Sequence, residues 1–321
     1  MAKKKLYIAR KVPESLIKPF ETEFDIRMWE NESDPIPRDI LLEEVQNADG
    51  LLSLMTENID RTFLQQASHL NIIANMAVGY DNIDVEAAKE YDITITNTPD
   101  VLTETTADLT FALLMATARR LMEGSDLIRQ NQWGNWSPFG LAGTDIFGKK
   151  LGIVGMGRIG EAVARRAAGF NMDVVYYNRR RKEKVERDLG VDYNTFDELI
   201  QTSDYIVSLL PMTNETENIF NQHTFEQMKS DAIFINASRG GVVDETALFE
   251  ALKHKKIQAA GLDVFKDEPI GANHPFVELP NAVLLPHIGS ATVATREKMI
   301  TLALENIAKV FQGEKPKTPV W

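Results

Sequence analysis

The sequence predicts an α/β protein of two units, each a parallel sheet covered by helices, and three observations predict it. The 321 residues exceed a soft allowance of ~150 residues per domain, which suggests two hydrophobic cores. Short β-rich runs alternate with helical stretches twice, once up to about residue 100 and again from Lys150. At the head of the second series, Gly155-Met156-Gly157-Arg158-Ile159-Gly160 joins a strand to a helix.

The first series has strand candidates at Leu6 to Ala9, Phe24 to Met28, Gly50 to Leu54, Asn71 to Asn75 and Ile93 to Thr96, the pattern of a small flavodoxin-like unit. Thr103 to Gln130 reads as one long helix, opened by Thr105 with Asp108 three residues on as an imperfect capping box. Leu109, Phe111, Leu113, Leu114 and Met115 cover most of its circumference, so it should be buried inside the chain or against a second subunit. Gln132 to Lys149, rich in Gly, Trp and Pro, reads as a loop or arm. Six strand candidates follow at Leu151 to Gly155, Asp173 to Asn178, Tyr205 to Leu209, Ala232 to Asn236, Ala259 to Asp263 and Val283 to Leu285, enough for a doubly wound, Rossmann-like sheet. A final helix, Thr292 to Phe311, leads away from that second unit.

Composition narrows the function. A hydrophobic fraction of 44% and a charged fraction of 26% are those of ordinary globular chains. A net charge of -12 disfavours general affinity for nucleic acid or anionic membrane, so an anionic substrate needs a local basic site. With no cysteine, and five histidines in no metal-ligand spacing, an organic cofactor is a better candidate than a metal. The apolar stretch after Lys3-Lys4-Lys5 is too brief for a secretion signal, and Leu109 to Ala118 falls short of the ~20 residues that cross a bilayer, so a soluble, cytoplasmic protein is expected.

The glycine turn predicts a bound dinucleotide. Gly155 permits the sharp turn, Gly157 lets the backbone approach a pyrophosphate and Gly160 allows the helix to pack closely on the sheet. Free N–H groups at the helix start, around Met156, Arg158 and Ile159, then face the anion. The next strand ends at Asn178, where an NAD enzyme carries an acid for the ribose hydroxyls, and Arg179, Arg180, Arg181 and Lys182 follow. Without the repulsive carboxylate, and with guanidinium groups at hand for a 2'-phosphate, NADP(H) is favoured and NAD(H) is the alternative. Arg179 and Arg180 are the leading candidates, Arg181 is left open, and the bland reading of the run is a solvated helix start.

Three strands end in polar groups that could share the cofactor's edge of a parallel sheet: Arg239 after Ile233 to Ala237, Glu268 after Gly261 to Phe265, and His287 after Val283 to Pro286. Hydride reduction of a keto acid puts negative charge on the carbonyl oxygen, which must be stabilised and protonated. A histidine suits that task, a carboxylate beside it fixes the ring, and an arginine can hold the substrate carboxylate. His287 is therefore expected as acid/base, Glu268 as its partner and Arg239 as substrate anchor. Singly, each has a bland reading as a surface or satisfied side chain; the other four histidines lack comparable surroundings.

At these residues the chain resembles the D-isomer-specific 2-hydroxyacid dehydrogenases. The resemblance is carried by Asn75 to Asp84 (NMAVGYDNID), Thr98 to Thr105 (TPDVLTET), Gly152 to Gly160, Ser238-Arg239-Gly240 and Pro286 to Ser290. It implies that Val78 and Gly79 offer N–H groups to the substrate carboxylate, that Leu54 lines the pocket, and that Pro211, Thr216, Ala237, Ser238, Asp263 and Gly289 lie along the cofactor. It implies a substrate domain of residues 1–101 with 292–321, and a dinucleotide-binding domain of residues 102–291. The arm and the basic strand end most resemble the glyoxylate/hydroxypyruvate reductases, a group that overlaps 2-ketogluconate reductases and prefers NADPH. Members dimerise through the long helix and the arm, which implies a homodimer with Trp136 near the partner's active site. The chain departs from NAD-using relatives at Asn178, and it lacks the long C-terminal regulatory extension of some phosphoglycerate dehydrogenases. Two other readings stand beside this one: a nicotinamide-sensing, corepressor-like binding protein on the same fold, and a dehydrogenase for another acid such as phosphoglycerate or formate.

Overall fold

The computed structural model describes residues 3–321. It divides into two units, one ending at Leu102 and resumed at Ala291–Trp321, the other Thr103–Ser290. In the first, strands β1 (Lys4–Ile8), β2 (Phe24–Met28), β3 (Gly50–Ser53), β4 (Ile72–Asn75) and β5 (Thr94–Thr96) form a parallel sheet in the order β2-β1-β3-β4-β5. Every residue of β3 and β4 is buried, so these strands read as unbroken apolar runs rather than alternating ones. The helix Val293–Phe311 returns from the far end of the chain to cover β4 and β3, and Gly50 lies so close beneath Phe311 that a Cβ there would come within 2.8 Å of the ring. Past this helix the chain is held by the buried Asn306. Its Oδ1 accepts from Lys317 and Thr318 N–H (2.7 and 3.1 Å), and its Nδ2 donates to Thr318 Oγ1 (2.8 Å). Val320 N–H then donates to Ile95 (3.0 Å), which adds the tail to the β5 edge.

The second unit has seven parallel strands, β6 (Lys150–Val154), β7 (Asp173–Tyr177), β8 (Asp192–Tyr193), β9 (Tyr205–Ser208), β10 (Ile233–Asn236), β11 (Ala259–Leu262) and β12 (Ala282–Leu284), in the order β12-β11-β10-β9-β6-β7-β8. Strand order reverses between β6 and β9, the place where open α/β sheets bind ligands at their carboxyl ends. The six strands read from sequence are present within a residue or two at each end; β8 is an addition, two edge residues too short to carry a periodic signal.

The expected single helix from Thr103 to Gln130 is instead two, Thr103–Ala118 and Leu121–Arg129. Arg120 adopts φ 52°, and the Ala118 carbonyl accepts from Thr144 N–H (2.9 Å) of the arm, so the helical ladder ends there. The expected capping box is also absent. The helix begins at Thr103, which puts Thr105 inside it, and the Glu104 and Asp108 carboxylates pair with Arg166 of the neighbouring helix at 2.9 and 2.6 Å. The first segment is buried within its own unit, against the helix Arg158–Ala168 and strands β10 to β12, whereas Leu121, Met122 and Ile128 of the second are exposed. Residues 130–149 form no helix or strand, and Trp133, Trp136, Phe139 and Phe147 are exposed along them. Among the described residues no helix is long and apolar enough to cross a membrane, and no His/Asp/Glu group could hold a metal ion.

The seat of the first helix on the sheet is set by Gly261 of β11, where a Cβ would lie 2.5 Å from Thr117 Oγ1 and 2.9 Å from Leu113 and Ile235. Gly261→Val must push helix from sheet, an overpacking that costs on the order of 1–3 kcal/mol. Its melting temperature, followed by circular dichroism, is expected to fall by several degrees; an unchanged value would remove this contact from the packing account.

Candidate functional site

The turn after β6 has the shape a pyrophosphate requires. Gly155 sits at φ 107°, and a Cβ there would come within 2.6 Å of the Leu209 carbonyl oxygen. Above Gly157 nothing lies within 4 Å of where a Cβ would stand, so the backbone is open to a ligand. A Cβ on Gly160 would meet the Gly155 carbonyl oxygen at 2.5 Å, which fixes the helix Arg158–Ala168 close against the turn. Met156 is buried and Ile159 half-buried against the core, so only their backbones face this opening, while the Arg158 side chain is exposed.

The expected row of free N–H groups is shorter than the sequence suggested. Met156 N–H donates to Asn178 Oδ1 (2.7 Å) and Asn178 Nδ2 donates back to the Met156 carbonyl (3.2 Å), so the amide clamps the turn. Gly157 N–H folds back onto Gly155 (2.9 Å), which leaves the first-turn N–H groups of the helix for an anion. The basic run divides as well. Arg181 forms a paired contact with Glu186 (2.8 and 2.7 Å), which also accepts from Tyr176 Oη (2.8 Å); with the Arg181 hydrogen bond outweighing burial, Glu186 is held down to about 2. Lys182 pairs with Glu161 (2.9 Å). Arg179 has only an exposed pair with Glu215 (3.0 Å), and Arg180 is exposed with no ion pair among the described residues.

Around the same edge, the loop after β9 is closed by Thr216, whose Oγ1 donates to the Pro211 carbonyl (2.7 Å) and accepts from Thr213 N–H (2.9 Å). At the end of β10, Ala237 N–H reaches the Ser208 carbonyl at 3.5 Å. The buried Asn236 organises the residues beyond: its Oδ1 accepts from Ser238 N–H and Oγ (3.1 and 2.8 Å), and its Nδ2 donates to the Arg239 carbonyl (2.9 Å). The next residue, Gly240, runs so tightly past Phe265 that any Cβ would collide with its backbone, which brings Arg239 beside the turn that follows β11.

In that turn Glu268 Oε1 accepts from Phe265 N–H (2.9 Å), and Oε2 lies 2.7 Å from His287 Nδ1. The carboxylate takes the Nδ1 side, so Nε2 is the ring nitrogen left to face a substrate. His287 itself has φ 53°, a left-handed conformation that costs a residue with a Cβ ~1 kcal/mol or more unless its surroundings impose it. Asp263 imposes it: its carbonyl accepts from His287 N–H (2.9 Å), its Oδ1 accepts from Ile288 N–H (2.8 Å), and Gly289 packs on its other oxygen. Burial pushes the Asp263 carboxyl above its ordinary value, against the pull of the Ile288 and Gly289 N–H groups and of His287. Burial acts on Glu268 in the same direction, but there the His287 hydrogen bond and charge, the Phe265 N–H and Arg239 outweigh it and hold the carboxyl below its ordinary value. Arg239, Glu268 and His287 thus come together on the edge that carries the glycine turn.

Leu54, Val78 and Gly79 belong to the other unit, at the carboxyl ends of β3 and β4. They sit in a polar network that the sequence reading did not single out. Leu54 N–H donates to Glu57 Oε2 (2.6 Å); Asn82 Nδ2 donates to the Leu54 and Glu57 carbonyls (3.1 and 2.9 Å). Asn75 Nδ2 donates to the Gly79 carbonyl (3.0 Å), and the buried Arg10 pairs with Glu57 (3.5 Å). The available signal was the two asparagines of NMAVGYDN, whose amides suit carbonyl capture in an otherwise apolar strand end.

Comparison with known proteins adds the following. The family model described as D-isomer specific 2-hydroxyacid dehydrogenase, NAD binding domain, matches residues 111–289. A glyoxylate reductase of Pyrococcus horikoshii is 47% identical over 322 aligned positions, covering 99% of this chain and 96% of that protein. Among solved structures, the TT0316 protein of Thermus thermophilus superposes with a TM-score of 0.92 at 41% identity, over 99% of this chain and 100% of that one. An NADPH-dependent glyoxylate/hydroxypyruvate reductase of Sinorhizobium meliloti, solved with NADP and malonate, gives 0.84 at 31% identity, over 99% and 97%.

The opposed shifts of Glu268 and Asp263 have opposite effects on stability in acid. Glu268 is depressed in the fold, so its contribution is complete above the unfolded carboxyl value and is lost as pH falls through the folded one. Asp263 is raised, so the folded state takes up its proton first and gains stability as pH falls. Melting temperature recorded from pH 7 to 4 should therefore decline less steeply for Glu268→Gln than for the parent, and more steeply for Asp263→Asn. Identical slopes in all three proteins would contradict the assignment.

Proposed function

The chain belongs to the D-isomer specific 2-hydroxyacid dehydrogenases, and we propose that within this family it is an NADP(H)-preferring reductase of glyoxylate and hydroxypyruvate, with 2-ketogluconate as a larger alternative. It is a nicotinamide-dependent oxidoreductase acting on small 2-keto and D-2-hydroxy acids. The observation that carries the reading is the 2.7 Å contact between His287 Nδ1 and Glu268, which leaves Nε2 free on the sheet edge that bears the dinucleotide turn.

A nicotinamide dinucleotide held along this edge would supply the hydride. His287 then delivers a proton from Nε2 as negative charge gathers on the carbonyl oxygen, while Glu268 fixes the ring and balances the charge of its protonated form. Arg239 binds the substrate carboxylate and polarises the carbonyl. We assign substrate contacts to Leu54 and to the Val78 and Gly79 N–H groups. Along the dinucleotide we assign the turn Gly155 to Gly160, together with Pro211, Thr216, Ala237, Ser238, Asp263 and Gly289. The Thr103–Ser290 unit is then the nucleotide-binding domain and the other the substrate domain.

NADP(H) preference is supported by the exposed Arg179 and Arg180 and by an Asn178 amide, in place of a carboxylate, at the end of β7; the Sinorhizobium relative is NADPH-dependent. Asn178 acts through the turn it clamps. A homodimer is supported by the exposed Leu121, Met122, Ile128, Trp133, Trp136 and Phe139, an apolar surface that a second copy would cover.

Oxidation of NADPH and NADH across a panel of 2-keto acids tests the activity, and no turnover with any acid would overturn it. His287→Ala should lower kcat by roughly 10²–10⁴-fold with little change in KM, whereas Arg239→Ala should also raise KM. Replacing both Arg179 and Arg180 by Ala should raise KM for NADPH at least about tenfold and leave NADH unaffected. For the dimer, light scattering should report twice the chain mass, and a double change Ile128→Asp, Trp136→Asp should yield the single chain.

A further inference from the structure

We infer that Asn97 is a positioning residue for the substrate carboxylate, holding the Val78 carbonyl so that the Gly79 N–H is aimed outward; this rests on the reading that Val78 and Gly79 receive that carboxylate. Asn97 follows β5, and its Nδ2 donates to the Val78 carbonyl at 2.8 Å. The adjacent Thr98 N–H donates to the Ala77 carbonyl, also at 2.8 Å. In a planar trans peptide the N–H points opposite to the C=O. Fixing the Ala77 carbonyl therefore aims the Val78 N–H, and fixing the Val78 carbonyl aims the Gly79 N–H.

In an extended strand successive N–H groups point to opposite sides. Here both carbonyls are drawn to one segment, Asn97-Thr98, so both N–H groups face the other way and form a small anion-binding concavity. Neither N–H donates to any described residue, and Val78 is 36% exposed, so the pair is open to a ligand. The Gly79 carbonyl is held in turn by the buried Asn75, which stops the turn from swinging.

Asn97 is itself clamped. Its N–H donates to the Thr318 carbonyl (3.3 Å) and its carbonyl accepts from Thr318 Oγ1 (2.6 Å), while Asn306 fixes Thr318. A chain of contacts thus runs from the last helix through the tail to the Val78–Gly79 peptide. Without the amide, that peptide plane would have to be ordered by the ligand, and the ordering cost would appear as weaker binding of substrate. The chemical step would be little touched, because the loss is in uniform binding.

The test uses protein saturated with NADPH and labelled with ¹⁵N-glycine, titrated with oxalate as a non-reacting carboxylate probe. In the parent protein the Gly79 amide proton should move downfield on binding. Asn97→Ala, and Asn97→Leu as a branched shape without a donor, should weaken oxalate about five- to tenfold and raise KM for glyoxylate equally, with kcat within about twofold and NADPH affinity unchanged. Parent-like oxalate affinity and Gly79 response in both variants would overturn the role of Asn97 while leaving the carboxylate site intact. A parent Gly79 amide that ignores saturating oxalate would instead overturn the carboxylate reading, and this proposal with it. Joint loss of melting temperature, kcat and NADPH binding in both variants would mark Asn97 as structural and also overturn it.

Discussion

A buried carboxyl, Asp263, holds in place the edge of the larger unit where Arg239, Glu268 and His287 meet. It lies at the exit of β11 and gathers the main chain that leaves β12, taking N–H groups from Ile288 and Gly289 on its side chain and from His287 on its carbonyl. Those bonds hold His287 in a left-handed backbone conformation, and in that conformation Nδ1 lies 2.7 Å from Glu268. Glu268 is in turn fixed by Phe265 N–H, from the strand that carries Asp263. Two exits of one parallel sheet are thereby stitched together, and Arg239 joins them because Gly240 permits the third exit to pass against Phe265.

Much of this was legible in the sequence, and the reasons are physical. Central parallel strands are buried on both faces, so β3, β4, β9 and β10 appear as unbroken apolar runs bounded by polar residues. Carboxyl ends of such strands share an edge, which is why a guanidinium, a carboxylate and an imidazole far apart in sequence could be expected to meet. What was not legible depends on partners remote along the chain. The break after Ala118 is made by Thr144, an acceptor–donor match with no local signature. The supposed cap residue Asp108 is diverted to Arg166. Strand β8 has two residues and one neighbour, too little for any periodicity.

The basic run after β7 illustrates the limit differently. Of four consecutive cations the sequence ranked Arg179 and Arg180 first and left Arg181 open; in the structure Arg181 and Lys182 are engaged by Glu186 and Glu161, while Arg179 and Arg180 stay at the surface. Charge counting could not show that Arg181 and Lys182 are engaged, because their partners are acids five residues ahead and twenty-one behind. Asn178 is a similar case: read for what it lacks, a negative charge, it also makes two bonds that shape the turn.

The smaller unit is discontinuous, and this bears on how the molecule is made. Its sheet is complete by Thr96, but the helix that covers β3 and β4 and the tail that edges β5 are encoded after the entire second unit. During vectorial synthesis the Thr103–Ser290 unit can condense as an uninterrupted block, while the sheet of the first unit waits for its covering helix until the segment Ala291–Trp321 has been made. That interval is when a chaperone would find the most to hold.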